Sequence, residues 1–159
     1  MKRSPLFTLG IRYGAIAGVL AMVVLVIMFY MGSHPLMVAP FLDFRILLYS
    51  VFIFFFLKEY REDHQQGALY FSQGMLGTFV FILVAAVFST LLLLLFCVIE
   101  TDFIPSYIEA LTAYLKTFSE EDINRIGKEV FERNVQALPA TNAKQIAGKY
   151  FMQSMTIGF

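Results

Sequence analysis

From Gln65 to Ile99 the chain carries no acidic or basic side chain, and the later half of that run reads Phe79-Val80-Phe81-Ile82-Leu83-Val84 through Leu91-Leu92-Leu93-Leu94-Leu95-Phe96. About twenty apolar residues in helical conformation cross the hydrocarbon core of a bilayer, so this run is long enough to span one. Two further apolar runs precede it. The predicted membrane helices cover about residues 11–31, 36–57 and 73–99. Lipid offers no partner to a bare peptide group, which leaves helices or the strands of a closed barrel, and none of these runs alternates as a barrel strand does. The expected fold class is all-α: a polytopic helical membrane protein with three clear transmembrane helices and the start of a fourth.

Composition agrees, because hydrophobic residues make up 58% of the chain and charged residues 15%. A soluble domain carries about a quarter charged residues, and a chain of this length could not bury so much apolar surface within itself. The formal charge of zero gives no reason to expect nucleic acid as a partner and argues against a polybasic lipid anchor. Membrane lipids are the expected surroundings. Cys97 is the single cysteine and reads as a small apolar residue of the third span. The apolar segment behind Met1-Lys2-Arg3 is longer than a cleavable signal core of ~7–15 residues, so the first helix reads as a retained anchor.

Lys2, Arg3 and Arg12 precede the first span, Lys58 and Arg61 follow the second, and the link Gly32-Ser33-His34-Pro35 has neither Lys nor Arg. The positive-inside rule then puts the amino terminus and the turn after the second span in the cytoplasm. The acidic exit of the third span, with Glu100, Asp102 and Glu109, falls on the opposite side.

After residues 1–102, the membrane domain, the texture becomes amphipathic. Ile104, Tyr107, Ile108, Leu111, Leu115 and Phe118 recur at helical steps. Ser119 with Glu120, Glu121 and Asp122 reads as the cap of a second helix over about 120–137, ended by Pro139. Residues 103–140 are thus expected to form an extracytoplasmic amphipathic helical hairpin. Residues 141–159 begin a fourth membrane helix, with Thr141 or Asn142 as its cap. This stretch is either continued by residues beyond Phe159 or lies in the interface plane.

The turn Lys58-Glu59-Tyr60-Arg61-Glu62-Asp63, followed by Gly67, Phe71, Gly74 and Gly77, resembles the bacterial membrane proteins grouped as domain of unknown function 4199, found mainly in the Bacteroidetes. Gln66 and Ser72 stand where glycine is common in that pattern. The resemblance covers nearly the whole chain and implies about four membrane helices with a charged amphipathic segment before the last. It implies no activity.

Three constellations stand out as sites. Gly10, Gly14 and Gly18 form a small-residue seam along the first helix, suited to close packing against the chain's own helices or a second copy. Asp43 and Arg45 are the opposite charges nearest a span, and three readings stay open for them: interfacial anchors, an ion pair, or a proton or substrate site. Two residues apart, they do not share a helical face. Tyr60, Arg61, Glu62 and Asp63 form a charged cytoplasmic contact loop.

Catalytic chemistry finds little footing. His34 and His64 fall on opposite sides in this topology, no Cys/His spacing suits a metal, and there is neither a nucleophile elbow nor a phosphate-cradling glycine loop. Glu120, Glu121 and Asp122 read as helix-start acids. No catalytic, cofactor or metal site is expected. The reading is a non-enzymatic accessory or scaffold subunit of a membrane complex, with other membrane subunits or a homo-oligomer as partners. The alternative is a small transporter or lipid-handling protein, which the family resemblance would place beside a polyprenol-phosphate glycosyltransferase, and whose polar path would draw on Asp43, Arg45, Ser50, Ser89 and Thr90.

Overall fold

A computed structural model describes residues 4–39 and 42–158. The expected roles of Lys2, Arg3 and Phe159 lie outside those residues. Among the described residues there are seven α-helices and no strand: α1 (Pro5–Tyr30), α2 (Phe44–His64), α3 (Phe71–Ile99), α4 (Phe103–Leu115), α5 (Glu120–Ile126), α6 (Lys128–Ala137) and α7 (Ala143–Gly158).

α1 and α3, of 26 and 29 residues, are long and apolar enough to cross a membrane. Only 33% of the most apolar window of each is buried, so most of that surface faces outward, unlike a helix at the centre of a soluble domain. They run parallel, joined by the glycine seam. A Cβ at Gly14 would lie 2.6 Å from the Phe81 carbonyl oxygen and one at Gly18 2.7 Å from that of Ala85. A Cβ at Gly10 would meet Val80 at 3.2 Å. Between them Ala17 and Ala21 are fully buried. In lipid no hydrophobic force drives helices together, so close backbone approach and its dispersion contacts hold such a pair.

Two candidate spans, rather than three and the start of a fourth, are what the helices supply. The second predicted span, 36–57, fails because its helix starts late. Pro35–Met37 form a short 3-10 turn, Val38 is extended, and α2 begins at Phe44, capped by Asp43. Its uncharged stretch, Ile46–Leu57, is twelve residues, about 18 Å at 1.5 Å per residue against a core of about 30 Å. α7 is likewise short at 16 residues. α2 runs back along α1, with Tyr13 against Phe52 and Phe56. α7 runs against α3, with Gly158 close to Ile82 at one end and Ile146 in the cluster of Leu93 and Cys97 at the other.

The charged loop is also relocated. Tyr60, Arg61, Glu62 and Asp63 continue α2 as its last turn, because Lys, Glu and Arg are good helix formers and nothing breaks the helix before Gln66 and Gly67, at φ 50° and 87°. The predicted hairpin becomes three helices. Ser119 and Asp122 form a reciprocal capping box at α5, but Gly127 at φ 96° ends it and α6 starts afresh. Asn142 and Gln145 form the corresponding pair at the start of α7, each side chain accepting the other's backbone N–H at 3.1 Å.

The seam gives a direct test. Gly14→Leu forces side-chain atoms into the α3 backbone and is expected to cost about 1–3 kcal/mol, the usual range for overpacking, as a lowered thermal midpoint in detergent. Gly148→Ala, whose Cβ meets nothing within 4 Å, leaves the midpoint unchanged or slightly higher.

Candidate functional site

The polar residues of the apolar bundle gather where α2, α3 and α7 meet. Asp43 is extended, at φ −69° and ψ 116°, and precedes α2, so its side chain folds back over the first turn. Its Oδ1 accepts from the Arg45 backbone N–H at 3.0 Å, and both carboxylate oxygens accept from Arg45 Nε at 2.9 Å. Nη2 donates to Oδ2 as well, completing a fork. The face argument from sequence therefore does not apply, because only Arg45 is helical. The remaining terminal nitrogen, Nη1, donates to Ser154 Oγ on α7 at 2.6 Å, and the guanidinium lies 4.5 Å over the Tyr150 ring.

Asp43 and Arg45 are 6% and 3% exposed, level with Leu25 and Met28 on α1. A charge in such surroundings costs several kcal/mol unless it is paired and hydrogen-bonded, which is the arrangement present. Tyr49, one turn beyond Arg45, stands edge-on to Phe81 at 5.9 Å. Ser89 on α3 is fully buried and donates to the Ala85 carbonyl at 2.8 Å. The hydroxyls of Tyr49 and Tyr150 are buried beside these serines. The crevice that touches Asp43, Arg45 and Tyr150 holds about 10 Å³, lined otherwise by Leu25, Met28, Pro35, Val38 and Phe44. That is space for about one water and none for an organic substrate.

A second cluster ties the opposite end of the bundle. Arg12 Nη2 lies 3.2 Å from Glu59 Oε2, which also accepts from the Tyr13 hydroxyl. Of the sequence-predicted contact residues beside it, Tyr60 is buried and its hydroxyl accepts from Gln65 at 2.8 Å. Arg61 and Glu62 pair at 3.2 Å on the surface, where such a bridge contributes about 0–1 kcal/mol.

The third cluster joins the α1–α2 link to α4. His34 Nδ1 accepts from the Leu36 N–H at 3.4 Å, which leaves Nε2, 3.3 Å from the Phe103 carbonyl, as the donor. The ring packs against Phe103 and Tyr107 at 4.8 and 5.3 Å. Burial pushes its pKa below the ordinary value and the nearby Lys149 charge adds to this, against the Phe103 hydrogen bond. Lys149 itself donates to the Tyr107 hydroxyl at 2.7 Å.

Asp43 and Arg45 are thus brought together, while the glycine seam and the Tyr60–Asp63 turn lie elsewhere. Of the polar residues considered with them in the sequence, Ser89 joins the cluster, and the half-buried Thr90 turns its hydroxyl inward with no hydrogen-bond partner. Ser50 is exposed and donates to its own helix at Ile46. Tyr49, Tyr150 and Ser154 were missed. Tyr49 follows Arg45 by four residues and Ser154 follows Tyr150 by four, so each pair shares a helical face. Helical spacing could have grouped each pair, though not joined α2 to α7. Among the described residues no group of three or more His, Cys, Asp or Glu side chains could hold a metal.

The chain belongs to the family described as "Protein of unknown function (DUF4199)". The match runs over residues 12–159, which takes in every cluster described above. No curated protein and no solved structure matches the chain.

Two measurements bear on these clusters. Asp43→Asn or Arg45→Met alone strands a buried charge and is expected to cost about 3–5 kcal/mol, whereas the double substitution recovers most of that stability; equal losses in all three would show that the charges do not act as a pair. For His34, a depressed pKa in the folded state means that the unfolded chain binds the proton more readily. Stability in detergent should therefore fall as pH drops below about 6.5, the ordinary histidine value, and His34→Gln should flatten that fall.

Proposed function

We propose that this protein is a small, multi-pass bacterial inner-membrane protein that works as a non-enzymatic accessory or scaffold subunit, with its amino terminus in the cytoplasm. The observation that carries the reading is the α5–α6 arm. No residue of either helix is buried, yet Ile126, Val130 and Val135 are 44%, 40% and 37% exposed. Against α4 the arm frames a cleft of about 300 Å³ lined by Leu115, Phe118, Ile123, Phe131, Val135 and Leu138. An apolar ridge beside an apolar cleft on a charged amphipathic arm is the surface that receives a partner helix.

Sidedness supports it. Arg12, Lys58 and Arg61 lie at one end of the bundle, and Tyr30, which donates to Glu100 at 2.7 Å, marks the other, from which α4 departs. The positive-inside rule puts the first end in the cytoplasm and the arm outside. In this reading α2 and α7 lie within the membrane beside α1 and α3, their short apolar stretches sheltered by the longer pair. Transport is disfavoured, since the Asp43–Arg45 charges satisfy each other and the adjoining space is too small for cargo.

Two tests follow in bacterial spheroplasts. Arg125→Cys should react with a membrane-impermeant maleimide without permeabilisation, Cys97 being buried. A photo-crosslinker at Val130 should give a discrete protein adduct, and one at Leu47, exposed on α2, should give none. Labelling only from the inside, or equal adducts at both positions, would reverse the assignment.

A further inference from the structure

At the end of the bundle marked by Arg12, the last three turns of α2 and the loop behind them enclose a groove of about 230 Å³, lined by Phe54, Leu57, Lys58, Arg61 and Leu69. Its chemistry is divided. Phe54, Leu57 and Leu69 make an apolar floor continuous with the outward face of α2, where Leu47, Val51 and Phe54 are exposed. Lys58 and Arg61, three residues apart and so on one helical face, make its polar rim. Lys58 is exposed and forms no hydrogen bond or ion pair among the described residues. Arg61 gives one nitrogen to Glu62 and has the others to spare. Glu59, the acid next to Lys58, is engaged on the α1 side by Arg12 and Tyr13. Tyr70 and Phe71, 65% and 83% exposed, follow the groove as aromatic residues do at the headgroup level.

From this arrangement we infer a binding site for one anionic phospholipid of the cytoplasmic leaflet, its phosphate between Lys58 and Arg61 and an acyl chain along Leu57, Phe54 and Val51. Two cations facing an anion supply the charge complementarity, and the apolar floor selects a lipid over a soluble phosphate. The inference rests on the membrane placement proposed above, though not on the scaffold role of the arm.

The test uses the full chain in nanodiscs of phosphatidylcholine with phosphatidylglycerol titrated in, bound lipid being counted by native mass spectrometry. One phosphatidylglycerol should be retained preferentially, inorganic phosphate should not displace it, and Lys58→Gln with Arg61→Gln should weaken retention roughly tenfold or more, at about 1 kcal/mol per basic residue near a lipid surface. Lys58→Arg with Arg61→Lys should keep it, as should Lys128→Gln with Arg133→Gln on the arm. Equal retention of both lipids, displacement by phosphate, or equal loss from the two neutralising pairs would overturn the site. Alkaline carbonate extraction separates the two failures: a chain that stays in the membrane but shows no lipid preference refutes the lipid site alone, and a chain released from it refutes the membrane placement as well.

Discussion

The pairing of Asp43 with Arg45 is the interaction on which the packing of α2, α3 and α7 depends. Neither charge is tolerable alone beside Leu25 and Met28, and the solution is local: an aspartate held outside the helix caps it, and the arginine of the first turn folds onto that cap. Once neutralised in this way, the guanidinium still has a nitrogen for Ser154 and a face for the Tyr150 ring. α2 is thereby fixed to α7 by polar contacts, where the apolar packing around them has no direction of its own.

The other organising contact is non-polar and of the opposite character. α1 and α3 meet through missing side chains, since Gly14 and Gly18 admit the carbonyl oxygens of Phe81 and Ala85 closer than any Cβ would allow. Parallel helices cannot follow each other directly in a chain, so α2 must return along α1 between them. This requirement brings Glu59 back to Arg12 and Tyr13, and the foot of the bundle closes on that carboxylate.

Much of this was legible in the residues. The long charge-free runs mark α1 and α3, the four-residue glycine spacing marks a close-packing face, and Ser119 with Asp122 marks the start of α5. The boundaries of α2 were not legible, because an apolar run says nothing about where a helix begins when a 3-10 turn and an aspartate cap stand inside it. The break at Gly127 was missed for a related reason: the amphipathic pattern on either side continues in phase, while a positive φ at one residue redirects the axis. Of the buried cluster, the sequence offered Asp43, Arg45 and Ser89, but Ser154 and Tyr150 sit more than a hundred positions away from Arg45, and only tertiary packing unites them.

The arm formed by α5 and α6 has a consequence of its own. Helices with no interior residue rest on local contacts, the Ser119–Asp122 capping box of α5 and the Phe118–Phe131 ring contact of α6 among them, which puts them at the low-stability end of a fold. The glycine-joined pair, whose backbones touch, lies at the other end of that scale. The arm can therefore open while the joined pair stays closed.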